Sequence, residues 1–312
     1  MPVLKSSTKV FVAGHRGLVG SAIVRSLHKL GVSNVLTQSR QKLDLSDEAA
    51  TRSYLESEKP DVVVVAAALV GGIKANSTRP ADFIGQNLAI QQSLIWGSHL
   101  AGVPRLLFLG SSCIYPRETP QPIPESALLS GPPEPTNAPY AIAKIAGLYL
   151  CKSISEQYGK RYFTVMPPNV YGPGDNFDPE SSHVMAAMIR RFHENLPDTP
   201  VTCWGSGSPR REFLHSDDVG DACVHLLNLD ECPPMVNVGT GTSISIKELA
   251  ETVQGVVGHK GTISWDTSKP DGFPEKTNDV SLLKSLGWSP RIGLEAGVRD
   301  AYQWFLDYVA KR

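Results

Sequence analysis

The 312-residue chain has no apolar run long enough to cross a bilayer. The longest, Val62 to Val70, fits a fully buried parallel strand instead. Formal net charge is only −1, from 30 basic and 31 acidic side chains, so the cationic surface that nucleic acid demands is missing. Cysteines are few and scattered, at positions 113, 151, 203, 223 and 232. Their odd number and the lack of C-x-x-C spacing argue against a disulfide framework or a zinc cluster and suit a reducing cytosol. No metal site is expected. Residues 1 to 8 are mixed and lack the build of a signal peptide, so a cytoplasmic location is expected. Internal repeats and low-complexity tracts are absent. What is present is 41% hydrophobic and 20% charged, the composition of a folded protein with room for one large domain or two modest ones.

The most informative residues are Tyr140 and Lys144, with Ser111-Ser112-Cys113 upstream. A spacing of four puts Tyr140 and Lys144 on one helical face, one turn apart. An ammonium beside a phenol favours the phenolate, so Lys144 is expected to lower the pKa of Tyr140 and fit it for proton transfer in carbonyl reduction or alcohol oxidation. A serine hydroxyl at a strand end, Ser111 or Ser112, would bond the same carbonyl oxygen. Tyr-x-x-x-Lys alone is a common pattern, and its weight comes from the rest of the chain.

Lys9 to Ala13 reads as a short buried strand, followed by Gly14-His15-Arg16-Gly17-Leu18-Val19-Gly20 and a helical segment with an Ile23, Val24 and Leu27 stripe. Strand, glycine turn and helix form the context of a dinucleotide site. Gly14 allows the tight turn, Gly17 the approach of a pyrophosphate to the amides of Leu18 and Val19, and Gly20 close helix–strand packing. The G-x-x-G-x-x-G spacing resembles that of short-chain dehydrogenase/reductases. An NAD site places an acidic residue about 20 positions on. Here Gln38-Ser39-Arg40 ends the second strand and no carboxylate comes before Asp44. Arg40 and Arg16 are placed for a 2′-phosphate, so NADP (NADPH) is the expected cofactor. Asp44-Leu45 remains available to line the adenine pocket.

Strand patterns at 9–13, 34–38, 62–68, 105–111 and 162–167, with helices at 82–101 and 139–158, give α/β alternation. They predict a Rossmann-type doubly wound parallel sheet that binds ligands at the carboxyl ends of its strands. Pro116 to Pro139 holds eight prolines and is expected to be a functional loop, ending where Pro139 opens the helix of Tyr140. Past Val170 the pattern becomes mixed, with helices at 183–195, 217–229, 246–257 and 294–310 and strands near 200–204, 235–238 and 262–265. The expected organisation is an NADP-binding domain over 1–170 and a smaller C-terminal α/β substrate domain over 171–312, with a segment near 211–240 returning to the first. The 82–101 helix is apolar on more than one face, which fits either a subunit interface or a helix buried between sheet and substrate domain.

Several further runs carry a closer resemblance: Val70-Gly71-Gly72-Ile73, Gly110 to Pro116, Glu134 to Asn137, Tyr140 to Gly147, Tyr171 to Phe177, Trp204 to Gly207 and Arg211 to His215. With the glycine turn they resemble the GDP-L-fucose synthase family, extended short-chain dehydrogenase/reductases acting on nucleotide sugars, over residues 9 to 308. The resemblance implies a homodimer that takes GDP-4-keto-6-deoxy-D-mannose to GDP-L-fucose by epimerising C3 and C5 and reducing the C4 ketone with NADPH. It implies Ser111, Cys113, Tyr140, Lys144 and His183 as catalytic residues, with Cys113 and His183 as the base and acid of epimerisation. It favours Ser111 over Ser112 at the keto oxygen. Arg191, Arg211 and Lys276 would hold the GDP diphosphate, and Asn169, His183, Val184 and Trp204 would line the pocket.

Three positions depart from the family pattern: Pro168, Phe273 and Glu275. Glu275 next to Lys276 is expected to set a negative charge near the diphosphate and weaken nucleotide binding. A 4-epimerase would not need the Cys113 and His183 pair. A 4,6-dehydratase would carry an acidic residue where Ser112-Cys113-Ile114 has none. A non-catalytic NADP-binding regulator would typically have lost Tyr140 or Lys144, and both are present.

Overall fold

The computed structural model describes residues 3–269, 271 and 273–311, with the backbone alone for residues 73 and 74. In chain order it forms β1 (Val10–Ala13), α1 (Leu18–Lys29), β2 (Val35–Leu36), α2 (Glu48–Glu58), β3 (Val62–Val65), α3 (Ile73–Thr78), α4 (Pro80–Gln91), α5 (Gly97–Leu100), β4 (Arg105–Leu109), α6 (Ala138–Tyr158) and β5 (Arg161–Met166). Then come β6 (Asn169–Tyr171), α7 (Val184–Glu194), β7 (Val201–Trp204), β8 (Arg210–Arg211), β9 (Phe213–His215), α8 (Ser216–Leu227) and β10 (Met235–Asn237). The chain closes with β11 (Ile244–Ser245), α9 (Ile246–Val257), β12 (Ile263–Asp266), β13 (Glu275–Lys276), α10 (Ser281–Ser285) and α11 (Leu294–Tyr308).

Six strands make one parallel sheet in the order β10-β5-β4-β3-β1-β2. All four valines of β3 are buried, as a strand covered on both faces requires. Alternation along β1 sends Val10 and Val12 to a core shared with α1 and α8, and Phe11 and Ala13 to a core shared with the π-helical turn after α4 and with α6. A separate core joins α7, α9 and α11 with β7 and Phe213 of β9. The segment carrying α8 and β10 lies on the large sheet: β10 pairs with β5 in parallel, and α8 packs on α1.

The strands expected at 34–38, 62–68 and 105–111 end earlier, at Leu36, Val65 and Leu109. Beyond these points the chain leaves the ladder and forms the loops at the carboxyl edge. The helix expected over 82–101 starts at Pro80 and is broken by a π-helical turn, Gln92–Trp96, which inserts extra backbone and turns Leu94 and Ile95 into the core. The proline-rich stretch is a loop with two short 3₁₀ turns, Glu125–Ala127 and Pro135–Asn137. It is pinned beside β13, where the Ile123 N–H donates to Thr277 O at 2.8 Å and the Thr277 N–H donates to Gln121 Oε1 at 2.8 Å.

Helix α6 has proline in its first turn and ends at Gly159, whose φ of 66° suits a left-handed C-cap. It lies unusually close to the sheet at Gly147. A Cβ there would come within 2.7 Å of the Phe108 ring and 2.6 Å of Gln91 Oε1. Gly147→Ala should therefore cost about 1–3 kcal/mol through overpacking. The check is a lower denaturation midpoint at unchanged slope; an unchanged midpoint would contradict the close approach.

Candidate active site

The glycine turn follows β1 directly. Gly14 holds φ at 87°, and a Cβ on it would lie 2.6 Å from the Ala67 amide nitrogen, so only glycine fits. The Gly17 N–H donates to Gly14 O at 3.0 Å, and Gly17 caps α1 in an extended conformation. No side chain caps this helix and no acidic residue stands in its first turn, so the amides of Leu18, Val19 and Gly20 offer a positive end to an anion. A Cβ on Gly20 would sit 2.2 Å from Gly14 O, which keeps the turn flat against the helix. Arg16 and Arg40 are both exposed, just past the carboxyl ends of the neighbouring strands β1 and β2. Asp44 is occupied by Ser46, accepting its N–H at 3.0 Å and its hydroxyl at 2.7 Å. An anion cradle with two exposed guanidinium groups that form no ion pair among the described residues fits NADP.

The second group forms at the end of β4. Ser111 is extended and its hydroxyl accepts the Cys113 N–H at 3.2 Å, opening a 3₁₀ turn over Ser112–Ile114. Ser112 is turned inward at 6% exposure. Ser111 is the serine whose hydroxyl lies near enough to the Tyr140 phenol to act on its pKa. Cys113 is half-buried, close enough for its charge to act on both Tyr140 and Arg211. Lys144, 2% exposed, donates from Nζ to Leu109 O at 2.6 Å. Its Nζ lies 4.7 Å from the Phe108 ring centroid and 5.8 Å from that of Tyr140.

The phenol moves the opposite way from the expectation, because burial decides its pKa. Burial raises the pKa of the phenol, the nearby Cys113 adds to the rise, and the Ser111 hydrogen bond offsets part of it. Burial also pulls Lys144 down to about 7. An ammonium so ready to lose its proton, and turned onto a backbone carbonyl, gives the phenolate little support.

The expected substrate residues fall into three places. His183 caps α7 with no side-chain cap bond; its side chain reaches solvent, yet the protein packed around it lowers its pKa, and the positive helix end acts in the same direction. The Gly72 N–H meets the Ser181 carbonyl just before it, at 3.3 Å. Val184 is the first residue of α7 and packs on the core beneath. Arg191, lower on the same helix, donates to Thr202 O at 2.8 Å, beside the end of β7 where Trp204 stands 67% exposed. Arg211 and Lys276 are register partners on the parallel strands β8 and β13. Arg211 is partly buried, which lowers its pKa, and it donates to the carbonyls of Arg210 and Phe273. Asn169 opens β6 and donates from its side chain to Glu212 O at 2.9 Å. No direct contact joins His183 to Cys113 among the described residues.

Glu275 does not lie where the sequence placed its charge. It pairs with Arg210, so alternation puts it on the face of β13 opposite Lys276. Its carboxylate accepts from Ser243 Oγ at 2.6 Å and Thr277 Oγ1 at 3.2 Å. Its partners hold it away from Arg211. Pro270 and Gly272 of the same run lie outside the described residues. Sequence reasoning missed Glu212, between Arg211 and β9, which is fully buried and accepts hydrogen bonds from three separate backbone amides. Only the charged residue amid Phe213-Leu214 hinted at it.

The shift on Lys144 carries a sign. Between about 7 and the ordinary 10.5 the unfolded chain holds a proton that the folded chain has released, so stability rises with pH across that window. Below it both forms are protonated and the full cost of the buried ammonium remains. The stability advantage of Lys144→Met over the parent chain should therefore shrink by about 2–4 kcal/mol as pH rises through the window, in paired denaturation curves. A pH-independent difference would contradict the shift.

Residues 10–239 match the model of the NAD dependent epimerase/dehydratase family. The chain is 54% identical over 312 residues to putative GDP-L-fucose synthase 2 of Arabidopsis thaliana, covering 99% of this chain and 95% of that one. It is 52% identical over 315 residues to GDP-L-fucose synthase of Escherichia coli (strain K12), covering 97% and 98%. A solved GDP-L-fucose synthetase from Naegleria fowleri bound to NADP superposes with a TM-score of 0.90 at 26% identity, over 98% of this chain and 95% of that one. With this likeness added to the glycine cradle and the Ser111, Tyr140 and Lys144 cluster, the chain belongs to the NAD dependent epimerase/dehydratase family and, within it, to the GDP-L-fucose synthases.

Proposed function

We propose that the chain converts GDP-4-keto-6-deoxy-D-mannose to GDP-L-fucose by epimerising C3 and C5 and then reducing the C4 ketone with NADPH. One observation carries this reading: Ser111, Cys113 and Tyr140 meet at the end of β4. Two neighbouring hydroxyls can hold one carbonyl oxygen, and a thiol beside them can take a proton from the adjacent carbon.

The C3 and C5 protons are both α to the C4 carbonyl, so removing either gives an enolate with its charge at O4. A phenol whose pKa burial has raised stays protonated at neutral pH, so its proton is in place for that oxygen. Cys113 removes the proton from one face of the sugar, and His183 returns one from the other. The lowered pKa of His183 makes its protonated ring a readier donor. NADPH supplies a hydride to C4 when bound. Tyr140 then gives its proton to the resulting alkoxide, and Lys144, with a pKa of about 7, can hold or release a proton beside it. Arg16 and Arg40 take the 2′-phosphate, Arg191, Arg211 and Lys276 take the GDP diphosphate, and Trp204 lines the pocket with Asn169 and Val184.

Residues 1–170, with the returning segment near 211–240, form the NADP-binding part in this reading, and 171–312 mainly the substrate part. The subunit contact is assigned to α4 and α6, where Leu88, Ile142 and Tyr149 stand exposed, giving a homodimer. The proposed compartment is the cytoplasm, where the five free thiols are stable. No helix among the described residues is long and apolar enough to cross a membrane.

In deuterated water, adding the keto-sugar should oxidise NADPH and yield GDP-L-fucose labelled at C3 and C5. Oxidation to an unlabelled sugar would mean a simple 4-reductase and remove the roles of Cys113 and His183. Cys113→Ser should suppress label exchange with NADPH binding intact, and Tyr140→Phe should slow hydride transfer by about 10²–10⁴-fold. For the dimer, Ile142→Glu combined with Leu88→Glu should halve the mass in sedimentation; an unchanged dimer would move the interface elsewhere.

A further inference from the structure

Glu212 is fully buried, and no arginine or lysine is paired with it among the described residues. Burial raises the pKa of its carboxyl, and donors from the backbone and Thr240 offset part of that rise. Oε1 accepts the N–H groups of Thr240 and Gly241, the second at 2.8 Å, and the Thr240 hydroxyl at 3.2 Å. Oε2 accepts the Asn278 N–H at 2.7 Å. Its backbone is as fully engaged. The Glu212 N–H donates to Lys276 O at 3.3 Å, and the Glu212 carbonyl accepts both the N–H and the side-chain amide of Asn169.

These partners come from the strand start at 169, the turn at 240–241 and the chain leaving β13. Each adjoins a residue assigned to the nucleotide sugar: Arg211 is the covalent neighbour, Lys276 the register partner, and Asn169 is bonded directly. A diphosphate needs two cations at a fixed separation, and side chains that are free to splay lose that match. Glu212 links β8 to β9 directly after Arg211, so its bound carboxylate anchors the end of the strand that carries the guanidinium.

We propose that Glu212 is the positioning residue of the nucleotide-sugar pocket, a buried carboxylate that sets the spacing of Arg211, Lys276 and Asn169 for a sugar-linked nucleoside diphosphate. The inference rests on the reading that Arg211 and Lys276 hold the diphosphate. Glu212→Gln tests it closely, because an amide has one acceptor oxygen and must abandon either Asn278 or the 240–241 turn.

Binding of GDP and of NADPH is measured by calorimetry, alongside steady-state kinetics, for Glu212→Gln, Arg211→Ala and the double variant. Glu212→Gln should raise the Kd for GDP and the KM for the GDP-sugar about tenfold, with kcat and the NADPH Kd within about twofold. In the Arg211→Ala background the same substitution should add less than about twofold, since its effect runs largely through that guanidinium. Equal weakening of GDP and NADPH, or full multiplication of the two effects, would overturn the proposal in favour of a general structural role. Arg211→Ala with unaltered GDP binding would instead overturn the diphosphate reading itself, whatever Glu212 does. If Glu212→Gln does not fold, Thr240→Val removes a single donor and should still raise the GDP Kd about two- to threefold; no change would count against Glu212.

Discussion

The seating of α6 against β4 at Gly147 and Phe108 is the constraint on which the rest of the site depends. Tyr140, Lys144 and Gly147 recur at intervals of four and three, one stripe of one helix. With only a hydrogen at Gly147, the stripe can lie against the Phe108 ring. Lys144 is thereby drawn into the protein, and Leu109 O is the acceptor it meets there. One turn earlier the same seating brings Tyr140 to Ser111. Interiors packed this tightly do not absorb an added methyl without moving something, and here the residues that would move are the reacting ones.

Desolvation governs these groups more than charge pairing does. Burial pushes both Tyr140 and Lys144 toward their neutral forms. The cations that meet phosphates are treated differently. Arg16 and Arg40 stay exposed, whereas Arg211 is partly buried and already bonded to carbonyls. The first pair keeps full hydration until an anion arrives. Arg211 is oriented beforehand and gives up less freedom on binding.

Much of this was legible locally. The glycine turn, Tyr140 with Lys144, and the start of the strand at Val62 are each set by spacing within a few residues, and the structure places them where the spacing implied, although that strand stops at Val65. What was hidden depends on partners distant in the chain. β6, β8 and β13 are two or three residues long and exist only because each pairs with another segment. Whether Glu275 or Lys276 shares a face with Arg211 is a matter of register, which composition does not encode. The sign of the Tyr140 shift needed its burial, and Glu212 needed three amides from two distant segments. The π-helical turn in the long helix was masked because its apolar residues look alike in either winding.

The join between α1 and α8 has a consequence for synthesis. Ala22, Ile23 and Leu27 are buried, and Gly220 lies so near that a Cβ on it would touch the Ala22 carbonyl at 2.6 Å. The cover for that stripe ends at Leu227, and the sixth strand follows only at Met235. At ordinary elongation rates the ribosome reaches them roughly 10–40 s after the helix they shelter. The nucleotide cradle is made well before its back wall. The growing chain must carry an open apolar stripe until α8 follows.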